Sequence, residues 1–217
     1  DGNASDMSGN GNHGTVNGAT LGADRHGVAG RAYSFDGVDD LIEVSDGGAL
    51  EITENLSVFL WYKNLDDRTL PHLGLISKSD PNVAEGWRFW TEGSNQFRIS
   101  IFGSSNVGLT LAGFTQVYNS WKHLGFIFSN QRVKAYQDST LGFSLSAPST
   151  IGYGNGAPLR IGKVHNKFFT GLLDDVRIYD RALSAEEISL LYRAESPNHF
   201  VDSAKDLEMI WVEPGTF

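Results

Sequence analysis

Short apolar runs recur along most of the chain, and glycine, asparagine, aspartate and proline residues separate them. Many runs alternate apolar with polar positions and are rich in β-branched and aromatic residues, a pattern that predicts β-strands joined by turns. About a dozen strands at this spacing, with little helix, indicate two packed antiparallel sheets. The predicted strands are Ala32–Asp36, Leu41–Val44, Leu56–Lys63, Leu75–Lys78, Trp87–Thr91, Phe97–Phe102, Leu109–Ala112, Lys122–Phe128, Arg132–Gln137, Leu141–Ser146, Leu159–Lys163 and Gly171–Tyr179.

One helix is predicted after the last strand. Ser184 and Glu187 have the Ser-x-x-Glu spacing of a capping box, in which each side chain bonds the backbone N–H of the other residue. The apolar residues that follow share one helical face, which lets the helix lie on the sandwich: Ile188, Leu191 and Tyr192. Pro197 disfavours a helical residue before it, so the helix is expected to end by Ala194.

The composition fits one globular β domain and excludes several classes of protein. A chain of 217 residues is within the range of a single large sandwich. The formal net charge is -9 and the 17 lysines and arginines are scattered, so a nucleic-acid partner, which requires a basic stripe, is disfavoured. No apolar run approaches the roughly 20 residues that cross a bilayer, so no membrane anchor is expected. The absence of cysteine excludes disulfides, thiolate metal sites and thiol catalysis.

The C-terminal end of the chain predicts a domain boundary. Residues 1–195 hold the predicted strands and helix, and residues 196–205 are polar and without pattern, which is typical of a linker. Residues 206–217 become apolar again, and we interpret them as the first strand and turn of a following domain. The alternative is an edge strand of the same sandwich.

Oxygen-rich segments are candidates for binding a hard cation. The N-terminal loop that begins at Asp1, and the turn at Asp36 and Gly37, combine carboxylates, amides and glycines. Calcium is bound by six to eight oxygens from side chains and backbone carbonyls, which flexible loops of this composition supply. For the N-terminal loop taken alone, the alternative is a solvated cluster of turns.

Asp174 is a third candidate. Period-two alternation in its predicted strand places it on the face of Val176 and Ile178, and it places Asp175 on the opposite face. If the face of Val176 is the core, Asp174 is a buried carboxylate, which needs a cation, an arginine or several N–H donors. The three segments together therefore predict a metal site.

Six stretches, in this order, resemble the laminin-G-like jelly-roll domains of the concanavalin A-like lectin/glucanase superfamily: SGNGNHGTVNGA, GRAYSFDGVDDLIEV, LSVFLWYK, SWKHLGFIF, VKAYQDS and FTGLLDDVRIYDRALSAEEISLLY. The resemblance covers residues 1–194. With the predicted helix, it implies an all-β, two-sheet antiparallel jelly-roll sandwich with one short C-terminal helix and a structural Ca2+ at the rim. Carried over by position, the calcium ligands would be Asp1 or a neighbour, Asp36, Gly37 and Asp174.

The tail segment, Met209–Phe217, reads MIWVEPGTF and resembles the opening of formylglycine-generating-enzyme-like (sulfatase-modifying) domains. This resemblance implies a secreted multidomain parent, extracellular or periplasmic, in which the sandwich precedes such a domain and has it as a partner in cis.

Carboxylate pairs suited to glycoside hydrolysis are missing from the sequence. Laminarinase-type glucanases of the superfamily carry E-x-D-x-E or E-x-D-x-x-E on a strand, because two carboxylates must flank the scissile bond. This chain has neither spacing, and its adjacent Asp174 and Asp175 are expected on opposite faces. The six histidines show no H-E-x-x-H spacing. The sequence therefore predicts a protein that is not an enzyme, with a glycoside hydrolase as a remote alternative.

Aromatic side chains give the remaining sign of a binding site, because sugar rings stack on exposed aromatic faces. Alternation directs Trp87 and Phe89 to one side of their predicted strand. Arg88 and Trp90 face the other side, and we expect both to form a glycan platform with Arg98; the alternative is that the aromatic residues fill the core. The predicted function is an accessory module that binds carbohydrate or another surface polymer. Its rival is a structural or protein-interaction spacer for a neighbouring domain.

Overall fold

The computed structural model describes residues 3–66, 73–80, 83–92, 96–103, 107–112, 114, 116–153 and 156–197, with the backbone alone for residues 107–112. In these residues the chain is mostly β-strand with one short helix, which confirms the predicted all-β class. Asp1, the tail segment and most of the predicted linker lie outside the described residues.

The strands agree closely with those predicted from the sequence. Their ends differ from the prediction by at most two residues, and a break at Gly162 divides the predicted strand Leu159–Lys163. Two short N-terminal strands and a small hairpin, with strands of two to four residues, were not predicted. The elements are β1 (Gly14–Asn17), β2 (Thr20–Gly22), β3 (Ala32–Asp36), β4 (Leu41–Val44), β5 (Leu56–Asn64), β6 (Gly74–Lys78), β7 (Trp87–Glu92), β8 (Gln96–Ile101), β9 (Val107–Ala112), β10 (Trp121–Ser129), β11 (Arg132–Gln137), β12 (Thr140–Ser146), β13 (Leu159–Ile161), β14 (Lys163–Val164), β15 (Lys167–Phe168), β16 (Thr170–Tyr179) and α1 (Ala185–Glu195).

Two seven-stranded antiparallel sheets form the sandwich in the described part of the chain. Sheet I has the strand order β1-β4-β13-β6-β7-β8-β9, and sheet II has the order β12-β11-β10-β5-β16-β3-β2. Several neighbouring strands are distant in sequence, as when β4 pairs with β13 and β5 pairs with β16. This arrangement confirms the predicted two-sheet jelly-roll sandwich. Strands β14 and β15 form a separate hairpin.

The core lies between the two sheets, where alternate side chains of the central strands interdigitate. The ring centroid of Phe126 in sheet II lies 5.5 Å from that of Trp87 and 5.7 Å from that of Phe89 in sheet I. Tyr62 contacts Phe97 edge-on, with centroids 5.7 Å apart. All five side chains are almost fully buried, so both the removal of apolar surface from water and the ring contacts stabilise the sandwich.

Helix α1 covers the outer face of sheet II. Its capping box is present: Ser184 Oγ accepts from the N–H of Glu187 at 3.1 Å, and Glu187 Oε2 accepts from the N–H of Ser184 at 2.7 Å. Ile188 packs on Phe59, so β5 is buried on both faces and its sequence is a nearly continuous apolar run. The helix has 11 residues, and no helical segment in the described residues has the length and apolarity of a membrane crossing.

A β-bulge in β16 decides the side from which Asp174 projects. Asp174 pairs with Trp61 on the outer face of sheet II. At Asp175, which has a φ of 42°, the register of β16 against β5 shifts. The extra residue returns Val176 and Ile178 to the core side. The prediction that Asp174 shares their face is therefore wrong, because strict alternation ends at a bulge.

Candidate functional site

The outer face of sheet I holds all three residues predicted to bind a ligand: Arg88, Trp90 and Arg98. In β7, Trp87 and Phe89 are buried in the core, and Arg88 and Trp90 lie on the other side, as the alternation predicts. Trp90 is half-buried, and Arg98 on β8 lies directly opposite it. The structure thus brings Trp90 and Arg98 together.

Arg88 lies on the same side of β7 but is not available to a ligand. Its Nε donates to Ser79 Oγ at 2.8 Å, and its Nη2 donates to the carbonyl oxygens of Asp80 at 2.7 Å and Val83 at 2.9 Å. Its guanidinium lies 4.5 Å from the ring centroid of Phe102. Contrary to the predicted platform, Arg88 is 6% exposed, because these described neighbours lie against its guanidinium.

Trp90 and three polar side chains share this face of β7 and β8, and we call the four residues the Trp90 platform: Trp90, Glu92, Gln96 and Arg98. Arg98 Cζ lies 5.8 Å from the ring centroid of Trp90. Arg98 Nη1 lies 2.5 Å from Glu92 Oε2. Gln96 pairs with Glu92 across the two strands and is exposed. The platform therefore combines an aromatic ring with a carboxylate, an amide and a guanidinium, which can bond the hydroxyl groups of a sugar.

Glu92 and Gln96 were not predicted as site residues, although the sequence held a signal for both. Glu92 follows Trp90 by two positions, and Gln96 precedes Arg98 by two positions, so alternation places all four on one face. The signal becomes visible once β7 and β8 are paired as a hairpin, because the register then sets Glu92 against Gln96.

The hairpin of β14 and β15 bounds the Trp90 platform on one side. Gly74 on β6 lies opposite Trp90. A Cβ at Gly74 would lie 2.3 Å from both the carbonyl oxygen of Lys167 and the nitrogen of Val164, so only glycine lets the hairpin lie this close to sheet I. The platform therefore lies between this hairpin and the β9 edge of the sheet.

The turn between β3 and β4, which we call the acidic turn (residues 36–40), brings three carboxylates together. Single carboxylate oxygens of Asp36, Asp39 and Asp40 lie within 4.8 Å of one another. The N–H of Asp36 donates to Asp40 Oδ2 at 2.9 Å. Burial, and then the charges of Asp36 and Asp39, raise the pKa of Asp40. Gly37, another predicted ligand, has a φ of 80°, which glycine adopts without strain.

The N-terminal segment approaches the acidic turn at Gly18. A Cβ at Gly18 would lie 2.0 Å from Asp40 Oδ1. Within the oxygen-rich loop, the carboxylate of Asp6 accepts from the N–H of Asn12 at 2.9 Å, which ties the loop to itself. The predicted ligand Asp1 lies outside the described residues.

Asp174 lies apart from the acidic turn and is paired with an arginine. Strands β3 and β16 pair so that Asp36 faces Thr170, and four further residues along a strand span about 13 Å. Arg25 Nη1 lies 2.7 Å from Asp174 Oδ2, and Arg25 Nη2 lies 2.7 Å from Asp175 Oδ2. The predicted grouping of Asp36 with Asp174 in one calcium site therefore does not hold, and Arg25 supplies the charge that the buried carboxylate needs. Asp174 and Asp175 both reach Arg25 because the β-bulge at Asp175 interrupts the alternation of the strand.

Arg25 also belongs to a buried cluster that connects the end of α1 to sheet II. Glu195, the last residue of α1, is 6% exposed. Its Oε2 accepts from Trp61 Nε1 at 2.8 Å, and its Oε1 accepts from Arg177 Nε at 2.5 Å. Arg25 Nε donates to its backbone oxygen. We call this cluster the Glu195 clamp: Arg25, Trp61, Asp174, Asp175, Arg177 and Glu195. The charged side chains of the clamp form ion pairs with one another, which indicates a structural role.

His123 is buried against the Glu195 clamp. Its ring centroid lies 5.3 Å from that of Phe59, 5.2 Å from that of Trp61 and 5.9 Å from that of Tyr192. Its Nε2 is 4.0 Å from Glu195 Oε2, which is too far for a hydrogen bond. Neither ring nitrogen bonds a partner among the described residues. His123 therefore serves as an aromatic packing residue.

Solved structures of similar fold include an arabinanase domain and the binding domains of two toxins. Domain 4 of AbnA, an extracellular GH43 arabinanase from Geobacillus stearothermophilus determined with arabinotriose, is 24% identical with a TM-score of 0.62, covering 88% of this chain and 93% of that domain. The binding domain of Paraclostridial Mosquitocidal Protein 1 is 17% identical with a TM-score of 0.70, and the match covers 88% of this chain and 49% of that one. The binding domain of botulinum neurotoxin DC was determined with SialylT (15% identity, TM-score 0.66, covering 88% and 48%) and with rat synaptotagmin II (14%, 0.67, covering 88% and 49%). The chain thus spans about half the length of the toxin domains, and these identities show a shared fold alone.

The family of the chain is shown by its sequence. No curated protein sequence matches the chain. A sequence profile described as the Concanavalin A-like lectin/glucanases superfamily matches residues 36–189, which is more than half of the chain. The matched range begins at the acidic turn, includes the Trp90 platform and ends within the first half of α1. The chain therefore belongs to the concanavalin A-like lectin/glucanase superfamily.

Proposed function

We propose that this chain is a non-catalytic module that binds carbohydrate through the Trp90 platform. The observation that carries the proposal is the platform itself, in which an aromatic ring lies beside a carboxylate, an amide and a guanidinium on two paired strands. An aromatic ring offers an apolar face for a sugar ring, and the polar groups fix the orientation of its hydroxyl groups. The arabinanase domain of similar fold, which was determined with arabinotriose, supports the proposal.

The carboxylates near the platform support binding and not hydrolysis. Glycoside hydrolysis uses two carboxyl groups roughly 5 to 9.5 Å apart that flank the scissile bond. Within the Trp90 platform only Glu92 carries a carboxylate, and it is paired with Arg98. Glu43, on the same face of sheet I, is paired with Arg160 at 3.1 Å. Among the described residues, each of these two carboxylates has an arginine as its ion-pair partner.

The test of this function is the loss of binding in a Trp90→Ala variant. Affinity electrophoresis through gels that contain arabinan, xylan, galactomannan or mixed-linkage glucan measures binding as retardation. We expect at least one polysaccharide to retard the wild-type protein and Trp90→Ala to abolish the retardation. Tyr118→Ala is the matched control, because Tyr118 is 54% exposed and lies outside the Trp90 platform. Equal retardation of both variants would contradict the proposal.

A structural or protein-interaction spacer is the second candidate function. The observation that favours it is the botulinum neurotoxin DC domain determined with synaptotagmin II, in which a protein is bound by a domain of similar fold. A spacer needs no ligand at the Trp90 platform. Wild-type protein that migrates freely through every polysaccharide gel would therefore favour this candidate.

We also propose a structural Ca2+ site at the acidic turn. The carboxylates of Asp36, Asp39 and Asp40 and the carbonyl oxygen of Gly37 would hold the ion. Three carboxylates with oxygens within 4.8 Å repel one another, and hard oxygen donors are the ligands that calcium prefers. A bound cation would relieve the repulsion that, after burial, raises the pKa of Asp40.

Chelation tests the calcium proposal through thermal stability. A chelator should lower the Tm by several degrees, and calcium should restore it more fully than magnesium, because magnesium resists irregular oxygen sites. Asp39→Asn should abolish the response to calcium. Glu186→Gln, which neutralises an exposed carboxylate on α1, should leave the response intact. A Tm that does not respond to the chelator would exclude the site.

We further propose that the module works in a secreted multidomain protein, ahead of a sulfatase-modifying-like domain. The support is the sequence of the tail segment, which lies outside the described residues. In such a protein the Glu195 clamp would fix the point from which the following domain extends, because the clamp holds the last residue of α1.

A further inference from the structure

Guanidinium groups on the outer face of sheet I are, in the described residues, each held by a protein partner. Arg98 is paired with Glu92 at 2.5 Å, and Arg160 is paired with Glu43 at 3.1 Å. Arg88 is buried and donates to the connection that covers it. The arginine that a ligand on the Trp90 platform would meet is therefore already neutralised by a carboxylate.

The hairpin of β14 and β15 adds two lysines beside this face. The ammonium of Lys163 lies 4.5 Å from the ring centroid of Phe168. Lys167 lies on the other strand of the hairpin, and its backbone oxygen approaches Gly74. Against these two charges, the whole chain carries a formal charge of -9. The long-range field therefore repels anionic polymers, and attraction of an acidic ligand would depend on Arg98 or on the two hairpin lysines.

We infer that Glu92 makes the Trp90 platform selective for uncharged glycans over acidic ones, an inference that rests on the proposed carbohydrate-binding function. A sugar carboxylate or sulfate that approached Arg98 would meet the carboxylate of Glu92 on the same guanidinium. Like charges at one site disfavour each other, and displacement of Glu92 would break an existing ion pair. An uncharged sugar encounters neither effect, and its hydroxyl groups can donate to Glu92 and accept from Arg98 and Gln96.

The geometry gives Glu92 this role through its ion pair with Arg98. Trp90 and Arg98 are directly opposite each other, and Glu92 is the diagonal neighbour of Arg98 on the same face. Glu92→Gln keeps the size of the side chain and a carbonyl acceptor but removes the negative charge. The variant should therefore retain the aromatic surface of Trp90 and leave the charge of Arg98 uncompensated by Glu92.

The experiment compares each polysaccharide that retards the wild-type protein with its carboxymethylated derivative, which has the same backbone with added carboxylates. Affinity electrophoresis at low ionic strength gives a dissociation constant for each form. We expect wild-type protein to bind the carboxymethylated form at least about tenfold more weakly, and Glu92→Gln to bring the two constants within about threefold. Two matched controls should keep the wild-type ratio: Glu43→Gln, which removes another paired carboxylate from this face, and Lys167→Ala, which removes one of the two lysine charges of the hairpin.

The possible outcomes separate the inference from the function on which it rests. If wild-type protein binds no neutral polysaccharide, the proposed function fails, and the inference fails with it. If wild-type protein binds the neutral and carboxymethylated forms equally, or if Glu92→Gln keeps the wild-type ratio, the inference alone is overturned. A ratio that changes in Lys167→Ala and not in Glu92→Gln would assign the selectivity to the hairpin instead. The melting curve of Glu92→Gln confirms that the variant is folded.

Discussion

Acidification should destabilise this protein through His123. The imidazole is 1% exposed, and neither ring nitrogen has a hydrogen-bond partner among the described side chains and backbone. Burial, and then the charges of Arg25 and Arg177, lower the pKa of His123 from 6.5 to about 3, while Asp175 acts in the opposite sense. The folded protein therefore keeps His123 neutral at pH values at which the unfolded chain carries a proton there.

Proton linkage gives the sign and the size of the effect. Well above pH 6.5 neither the folded nor the unfolded form is protonated at His123, so the residue contributes no pH dependence there. Between pH 6.5 and about pH 3 the unfolded chain binds a proton that the folded protein excludes. The free energy of unfolding then falls by about 1.4 kcal/mol per pH unit, which amounts to about 2 kcal/mol at pH 5 relative to pH 7.

Urea denaturation of wild-type protein and His123→Phe, at pH 7 and at pH 5, measures this loss. Phenylalanine keeps a ring against Phe59 and Trp61 and removes the titrating nitrogens. Burial raises the pKa of Asp174 and of Glu195, but both carboxylates titrate in the two proteins alike, so the difference between the proteins isolates His123. Wild-type protein should lose about 2 kcal/mol more than the variant. Parallel losses of equal size would refute the reasoning.

Three further predictions concern the packing of the sandwich, and denaturation tests each of them. Glu195→Ala removes the carboxylate that α1 contributes to the Glu195 clamp and should lower the free energy of unfolding by about 3 kcal/mol. The control, Glu186→Ala, removes an exposed carboxylate and should change it by less than about 0.5 kcal/mol. Equal losses in the two variants would contradict the structural role of the clamp. Gly74→Ala should lower the free energy of unfolding by about 1 to 3 kcal/mol, because the hairpin backbone lies against that position. The control, Gly47→Ala, should leave it nearly unchanged, because no atom lies within 4 Å of the added methyl group. Deletion of residues 198–217 should leave the Tm nearly unchanged. A longer deletion that also removes Glu195 should lower the Tm by several degrees. A large loss of Tm from the shorter deletion would show that residues 198–217 belong to the sandwich.

The sequence determined the features of this protein that depend on local pattern. Trp87 and Trp90 were assigned to opposite sides of one strand, because side chains alternate across any strand whatever sheet it joins. The capping box of Ser184 and Glu187 was predicted because its two hydrogen bonds close within one turn of chain. The strands and the all-β class followed from the same local alternation. The calcium site stays a prediction, now confined to the acidic turn.

Only the tertiary structure decided which outward residues are available and which buried charges are paired. Arg88 faces away from the core as the alternation requires, yet a loop buries it, and alternation carries no information about what folds over a face. Arg25 meets Asp174 from 149 residues away, and the bulge at Asp175 arises where β16 pairs with β5. A strand pattern specifies the side from which a residue projects. The neighbours on that side come from distant segments, so the partner of a buried charge is set by how the chain folds in space.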